Sequence, residues 1–131
     1  MKTMLVKWVP NAIDDSWGLD PDPVVWVSVR KLEESFAAGD QYVGPGGGGC
    51  GQRSRYANIG RHFMSGFEMR MPDISLSTDH QIRFSDGRHR FAWVRDHGAA
   101  ALPVNIGVAD AGQLSRLFGT DLRECSVVLG P

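Results

Sequence analysis

The chemistry in this chain concentrates in Ile82-Arg83-Phe84-Ser85-Asp86-Gly87-Arg88-His89-Arg90-Phe91-Ala92. An alternating strand pattern ends there, Gly87 turns the chain, and a helix pattern begins. A helix start presents backbone N–H groups without intrahelical acceptors and the positive end of the dipole. It is therefore a natural anion site. Gly87 lets a phosphate approach the backbone, and Arg88 and Arg90 add fork-shaped donors at the same place. Two readings stay open from these residues alone. One is a phosphate site; the other is a surface helix with solvated arginines and Asp86 as its N-cap. His89 has a near-neutral reference pKa, so it suits a general acid or base, a donor to phosphate, or a packed supporting residue. Asp86 is the candidate carboxylate for a Mg²⁺ held mainly by nucleotide phosphates.

Other motifs point elsewhere and are weaker. The run Gly44-Pro45-Gly46-Gly47-Gly48-Gly49-Cys50-Gly51 lacks the Gly-Lys-Ser/Thr ending of a P-loop and reads as a flexible loop inside the domain. Cys50 lies close in sequence to Arg53 and Arg55, which would favour its thiolate; the alternative is an incidental exposed thiol. His89 and His97, eight apart on one helix, diverge by about 80°. With no His-Glu-x-x-His and no paired-cysteine spacing, structural zinc is not expected. Trp8, Trp17, Trp26 and Trp93 are expected in or near the core; Trp93 as a base-stacking platform is the less favoured use.

The elements that must position the site follow from pattern. Met4 to Trp8 reads as a strand and 11–23 as a loop. Val24 to Val27 reads as a buried strand, and Ser28 caps a helix burying Val29, Leu32 and Phe36, with Gly39 ending it in the left-handed region. Arg53 to Ser65 is helical, with Tyr56, Ile59 and Phe63 on one face and Gly66 as its stop. Phe67 to Met71 is extended ahead of Pro72. Ile74 and Leu76 pair with Ile82 and Phe84 in a hairpin turning at Thr78 to Gln81. The site helix runs to about His97, and Gly98 closes it. Leu102 to Val108 is a strand whose Pro103 suggests an edge or a strand start. Asp110 caps a short helix that Gly119 stops, and Ser126 to Leu129 is the last strand.

The 131 residues suit one α+β domain with its own core, and 42% hydrophobic with 22% charged residues argues against disorder. No run approaches the ~20 apolar residues of a membrane span, and the first residues do not form a signal peptide. Two cysteines make a poor disulfide framework, so a reducing cytoplasm is expected. The net charge of −1 gives no global argument for nucleic acid. Its distribution does: from Arg53 to His97 there are eight arginines and all four histidines against five acids.

Phe84 through Ala92, then Arg95-Asp96-His97-Gly98 and Leu102-Pro103-Val104, resembles the signature of the ParB/sulfiredoxin-like superfamily. Within it, the Gly-rich loop, Arg55-Tyr56, Met71-Pro72 and Phe84 to Asp96 are most similar to the plasmid fertility inhibition factor family. The resemblance covers roughly residues 24–108. It implies a small mixed sheet flanked by helices, with a nucleotide phosphate bound by Ser85, Gly87, Arg88, His89 and Arg90. Arg55, with Arg53, would approach from the preceding helix. It further implies ATP or another nucleotide, with Mg²⁺, as ligand, DNA and a conjugation or type IV secretion component as partners, and no membrane. The implied function is to block conjugative DNA transfer, with ATP hydrolysis and DNA cleavage associated with the oncogenic-suppressor type; Asp86 and His89 are the catalytic candidates. Sulfiredoxins place a nucleophilic cysteine, and chromosome-partition relatives an acid, where this chain has Arg88. Sulfinic acid reduction and DNA clamping are thus not expected. Two further readings remain: a non-catalytic domain that docks to a conjugation protein, and a toxin-like nuclease or small-molecule kinase.

Overall fold

The computed structural model describes residues 2–10, 22–48 and 52–130. In chain order the elements are β1 (Lys2–Leu5), β2 (Trp8–Val9), β3 (Val24–Ser28), α1 (Val29–Ala37), a 3-10 turn (Pro45–Gly47), α2 (Arg53–Met64), β4 (Met69–Arg70), β5 (Asp73–Leu76), β6 (Ile82–Asp86), α3 (Arg88–Asp96), β7 (Ala101–Ile106), α4 (Val108–Phe118) and β8 (Ser126–Gly130). The α+β class is as expected. Among the described residues no helix is long and apolar enough to cross a membrane.

The main sheet has the order β3-β7-β5-β6. β5 and β6 form the expected antiparallel hairpin, with Leu76 opposite Ile82, Ile74 opposite Phe84 and Asp73 opposite Asp86. Its turn carries His80 at φ 65°, the one non-glycine residue with positive φ among those described. β7 is an inner strand, antiparallel to β3 and parallel to β5, and all six of its residues are buried. Pro103, expected at an edge or a strand start, is instead the third residue of an inner strand, for a local reason. The Asn105 N–H donates to Pro72 O at 2.9 Å, on the β5 side. Pro103, two residues earlier, faces the same side, where the β5 ladder reaches only Asn105 and Ile106. Its missing donor thus meets no strand.

The expected first strand is two. β1 pairs antiparallel with β8, and β2 pairs parallel with β4, so the chain changes partners between Leu5 and Trp8. Ser28 caps α1 as its sequence indicated, its Oγ accepting from the Lys31 N–H, and Val29, Leu32 and Phe36 are buried. Gly39 does not end α1 in the left-handed region: Ala38 is the C-cap in a right-handed conformation. Asp110 lies in the first turn of α4, whose N-cap is Gly107 without a side-chain bond. The expected loop at 11–21, with Trp17, lies outside the described residues.

α3 is the helix most enclosed by the fold. His89 through Val94 are all buried. Phe84 and Phe91, on either side of the Gly87 turn, have ring centroids 5.6 Å apart, and both pack against Phe36 at 5.0 and 5.4 Å. This three-ring cluster clamps β6 and α3 onto α1, and each such pair adds roughly 0.5–1.5 kcal/mol beyond area burial. On the other side, Trp93 stacks on Phe63 of α2 at 4.5 Å and 10°. Trp93 is thus a core residue, as its preferred reading held. Gly60 permits that close approach, because a Cβ there would lie 2.6 Å from Trp93 Nε1.

Candidate functional site

Gly87 is the N-cap of α3 at φ 91°, ψ 15°, and no side chain caps the helix. Both facts follow from the neighbourhood. The left-handed conformation favours glycine, and a Cβ there would meet Pro72 Cα at 2.8 Å and Arg90 Nη2 at 2.8 Å. Asp86 does not serve as the N-cap. Its Oδ2 instead pairs with Arg90 Nη2 at 2.8 Å, with the Asp86 side chain 65% exposed and that of Arg90 10%. Across the hairpin, burial and then the charges of Asp22 and Asp86 push the Asp73 carboxyl above its usual range.

Two cavities open at this helix start. One, of about 300 Å³, is lined by Asn58 and Ile59 of α2 and by Arg90, together with Arg55, Asp86, Gly87 and His89. The other, of about 190 Å³, shares those last four and adds Gln41, Phe84, Ser85 and Arg88. Arg55 is exposed on α2 and makes no ion pair with the described residues. Gly87, Arg88, His89, Arg90, Asp86, Ser85 and Arg55 are therefore brought together. Arg53 is exposed at the first residue of α2 and lines neither cavity.

His89 is 6% exposed, and burial, followed by the Arg88 and Arg55 charges, holds its pKa below the usual histidine value. The imidazole is thus predominantly neutral at neutral pH while two cations stand beside it. An anion in the cavity would offset those cations and draw a proton onto the ring.

Arg88 is bracketed rather than free. Its Nη1 donates to Gln41 O at 3.1 Å and its Nη2 to Gln52 Oε1 at 3.1 Å. Gln41 and Gln52 flank the glycine-rich stretch, so one side chain of α3 holds both ends of that loop. The Gln41 side chain is itself fixed. Its Nε2 donates to Phe84 O at 2.9 Å and its Oε1 accepts from Phe84 N–H at 2.8 Å, completing the outer edge of β6 as a strand would.

The loop is not the floppy segment its composition suggests, at least from Gly44 to Gly48. Gly47 N–H donates to Gly44 O and Gly44 N–H to Gly48 O. Asp96, at the far end of α3, accepts from Gly46 N–H at 2.9 Å, Tyr56 Oη at 2.6 Å and Arg95 Nε at 2.9 Å. Burial raises the Asp96 pKa, but those three donors win and hold it below the usual carboxylate range. Burial and the bond to Asp96 push the Tyr56 phenol well above its normal value. Arg95 reaches from Asp96 to Glu33 at 3.0 Å and Val43 O at 2.6 Å. Cys50 lies outside the described residues; Cys125 is a free, buried thiol whose pKa burial pushes up to about 11.

The sequence reading missed Gln41, Gln52 and Asn58. Asn58 had a readable signal, since it lies three residues from Arg55 and shares its helix face. Gln41 and Gln52 had none. Among the described residues no group of three or more His, Cys, Asp or Glu side chains is placed to hold a metal ion.

Residues 24–119 match the family model described as plasmid fertility inhibition factor. Among solved structures, the chain is similar to the crystal structure of oncogenic suppression activity protein, a plasmid fertility inhibition factor, in its gold(I) cyanide derivative. The TM-score is 0.61 at 21% identity, covering 79% of this chain and 58% of that one. The chain thus spans less than two thirds of that protein's length, and likeness at this identity concerns the fold. No curated protein matches the chain in sequence.

Proposed function

The chain belongs to the plasmid fertility inhibition factor family, and from that premise we propose that it acts in the cytoplasm by binding the phosphates of a nucleotide, or of DNA, at the start of α3. The observation that carries this reading is the meeting of an uncapped helix start with Arg55 and His89 at a cavity of about 300 Å³. The site has the dipole, the close backbone approach and, in Arg55, a cation with no ion pair among the described residues, as an anion requires. ATP with Mg²⁺ fits as ligand, because such an ion needs only one or two carboxylates beside phosphate oxygens, and Asp86 is the carboxylate present. In this reading His89, held neutral, accepts a proton from water attacking a phosphoryl group. DNA would approach along α2, whose twelve residues include Arg53, Arg55, Arg61 and His62 and no acid.

Calorimetric titration of ATP, CTP and ADP with Mg²⁺ tests the proposal. Arg55→Ala is the discriminating variant. Arg90 is nearly buried against Asp86, so its removal would confound binding with folding. Saturable binding that Arg55→Ala weakens at least tenfold supports the phosphate site. No binding to the wild-type protein refutes it.

A specific observation favours a second reading, docking to a conjugation protein. Leu5, Met64 and Phe67 are 58%, 56% and 67% exposed, and Leu5 and Phe67 border one groove with Lys7. Contiguous exposed apolar side chains mark interaction surfaces. Transfer inhibition lost in Phe67→Glu but kept in Arg55→Ala selects docking; the reverse selects the phosphate site.

A further inference from the structure

β1 carries an open edge. In its antiparallel register with β8, Met4 stands opposite Val127 and Leu5 opposite Ser126, and Val6 N–H then donates to Cys125 O at 2.9 Å. Residues of an antiparallel pair alternate between those bonded across the ladder and those whose N–H and C=O point away from it. Val6 and Met4 are therefore the bonded ones, and the backbone groups of Leu5 and Thr3 point outward. Val128, opposite Thr3, shows the same alternation: its N–H donates to His97 O, away from β1. Further along, the outward side is used, with Lys7 O accepting from Met69 N–H and Val9 O from Met71 N–H. β4 begins at Met69, and among the described residues no strand continues that ladder beside Leu5 and Thr3. The edges of the main sheet are covered by contrast. Ser35 Oγ accepts from Ile82 N–H and Gln41 bonds both backbone groups of Phe84 on β6, while Thr120 N–H donates to Trp26 O on β3.

Beside this edge lies the groove of Leu5, Lys7 and Phe67, a cavity of about 190 Å³ that also reaches Met4, Val6 and Phe63. Leu5 and Phe67 are exposed, whereas Phe63 is buried in the core. We propose that an extended segment of a partner protein adds to β1 as a further strand, sets an apolar side chain into this groove and carries acidic residues at its ends. This rests on the docking reading above and gives its mode and its chemistry. The backbone calls for an extended occupant, since Thr3 and Leu5 each offer a donor and an acceptor at the spacing of a strand. Charge sets the ends of that occupant. Lys7 is the charged side chain among those lining the groove, and Lys2, at the far end of β1, is exposed. Glu68, exposed next to Phe67, lies outside the lining. A second copy of the chain is the poorer occupant. Antiparallel pairing of β1 with itself brings the Lys2 end of each strand to the Lys7 end of the other, and like charges across a strand pair are destabilising. Lysine at an edge also deters pairing with strands that bring no acid.

The test selects peptides from a random phage-displayed library on the wild-type chain, with the Phe67→Glu protein as counter-selection. Phe67 is exposed, so that variant keeps the fold. Selected peptides should alternate apolar and polar residues, carry Asp or Glu at both ends and lack proline. The bound synthetic peptide should slow hydrogen exchange of the Thr3 and Leu5 amides about tenfold or more. N-methylation of alternate peptide amides should weaken binding about tenfold in one parity and little in the other, because one edge of an added strand pairs and the other does not. Lys2→Glu combined with Lys7→Glu should weaken binding about tenfold and reduce its salt dependence. Peptides that need Phe67, yet leave Thr3 and Leu5 exchanging freely and tolerate methylation in both parities, overturn strand addition and leave the docking reading standing. Peptides without acids, or indifferent to the lysine changes, overturn the acidic partner. Dimerisation in sedimentation that Phe67→Glu abolishes gives the groove to a second copy and overturns the proposal. Failure to select any Phe67-dependent peptide overturns it as well, and the docking reading falls with it where Phe67→Glu protein still inhibits transfer.

Discussion

Gly87→Ala measures how tightly the site turn is determined. The residue sits at φ 91°, where an L side chain costs roughly 1–2 kcal/mol. The added methyl would lie 2.8 Å from Pro72 Cα and 2.9 Å from Pro72 Cβ, a ring and backbone that cannot rotate away. It would also meet Arg90 Nη2 and push against the Asp86 pair. Overpacking of this kind costs about 1–3 kcal/mol. The total is about 2–5 kcal/mol, and for a chain of this length about 4 °C of Tm per kcal/mol, so Tm should fall by roughly 8–20 °C. Gly112→Ala is the control. Gly112 lies inside α4 with nothing within 4 Å of a built Cβ. The same methyl there should stabilise by about 0.5–1 kcal/mol through helix propensity. Thermal unfolding followed by far-UV circular dichroism reads both. A Gly87→Ala protein within about 0.5 kcal/mol of wild type, or a control of the same sign and size, would refute the argument.

Gly60→Ala should destabilise by about 2–3 kcal/mol and alter the near-UV dichroism of Trp93, because the methyl would press on its Nε1. Asp96→Asn should cost about 2–3 kcal/mol at neutral pH in urea titrations, since it removes the anion facing Arg95, Tyr56 and Gly46. The folded-state pKa of Asp96 is lowered, so its stabilisation is present above the ordinary carboxylate value and is lost as pH falls through the lower folded value; the gap between mutant and wild type should shrink at pH 3. The His89 ring should titrate below about 6.5 by NMR and move upward when tripolyphosphate is added. Because its neutral form is favoured by folding, its contribution is full above about 6.5 and declines as pH falls toward the folded value. A midpoint at or above 6.5 in the free protein would contradict the burial argument.

The similarity to a plasmid fertility inhibition factor was legible because its signature is local. Phe84 to Ala92 carries strand alternation, a turn glycine and a helix pattern in nine residues, and each is set by neighbours in the chain. The same holds for Ser28 capping α1 and for the hairpin register from Ile74 to Phe84. Where local rules compete, the sequence alone misleads. Asp110 has the chemistry of an N-cap but falls inside the first turn of α4, and Pro103 has the chemistry of an edge residue but stands in an inner strand beyond its neighbour's last rung.

What a single sequence determines here is a helix start with a glycine, two arginines and a histidine at a strand end, which is enough to propose an anion site. Tertiary structure alone decides which of those groups face a ligand. Arg90 turns to Asp86, Arg88 turns to Gln41 and Gln52, and Arg55 arrives from another helix as a cation with no ion pair among the described residues. Tertiary structure also holds Gly44 to Gly48 of a flexible-looking glycine run, through Asp96 bonding to Gly46 fifty residues away. Backbone propensity is written in adjacent residues, whereas the pairing of long polar side chains depends on which segments the core brings within hydrogen-bond reach. That core is set by Phe36, Phe84, Phe91, Phe63 and Trp93 meeting from four elements.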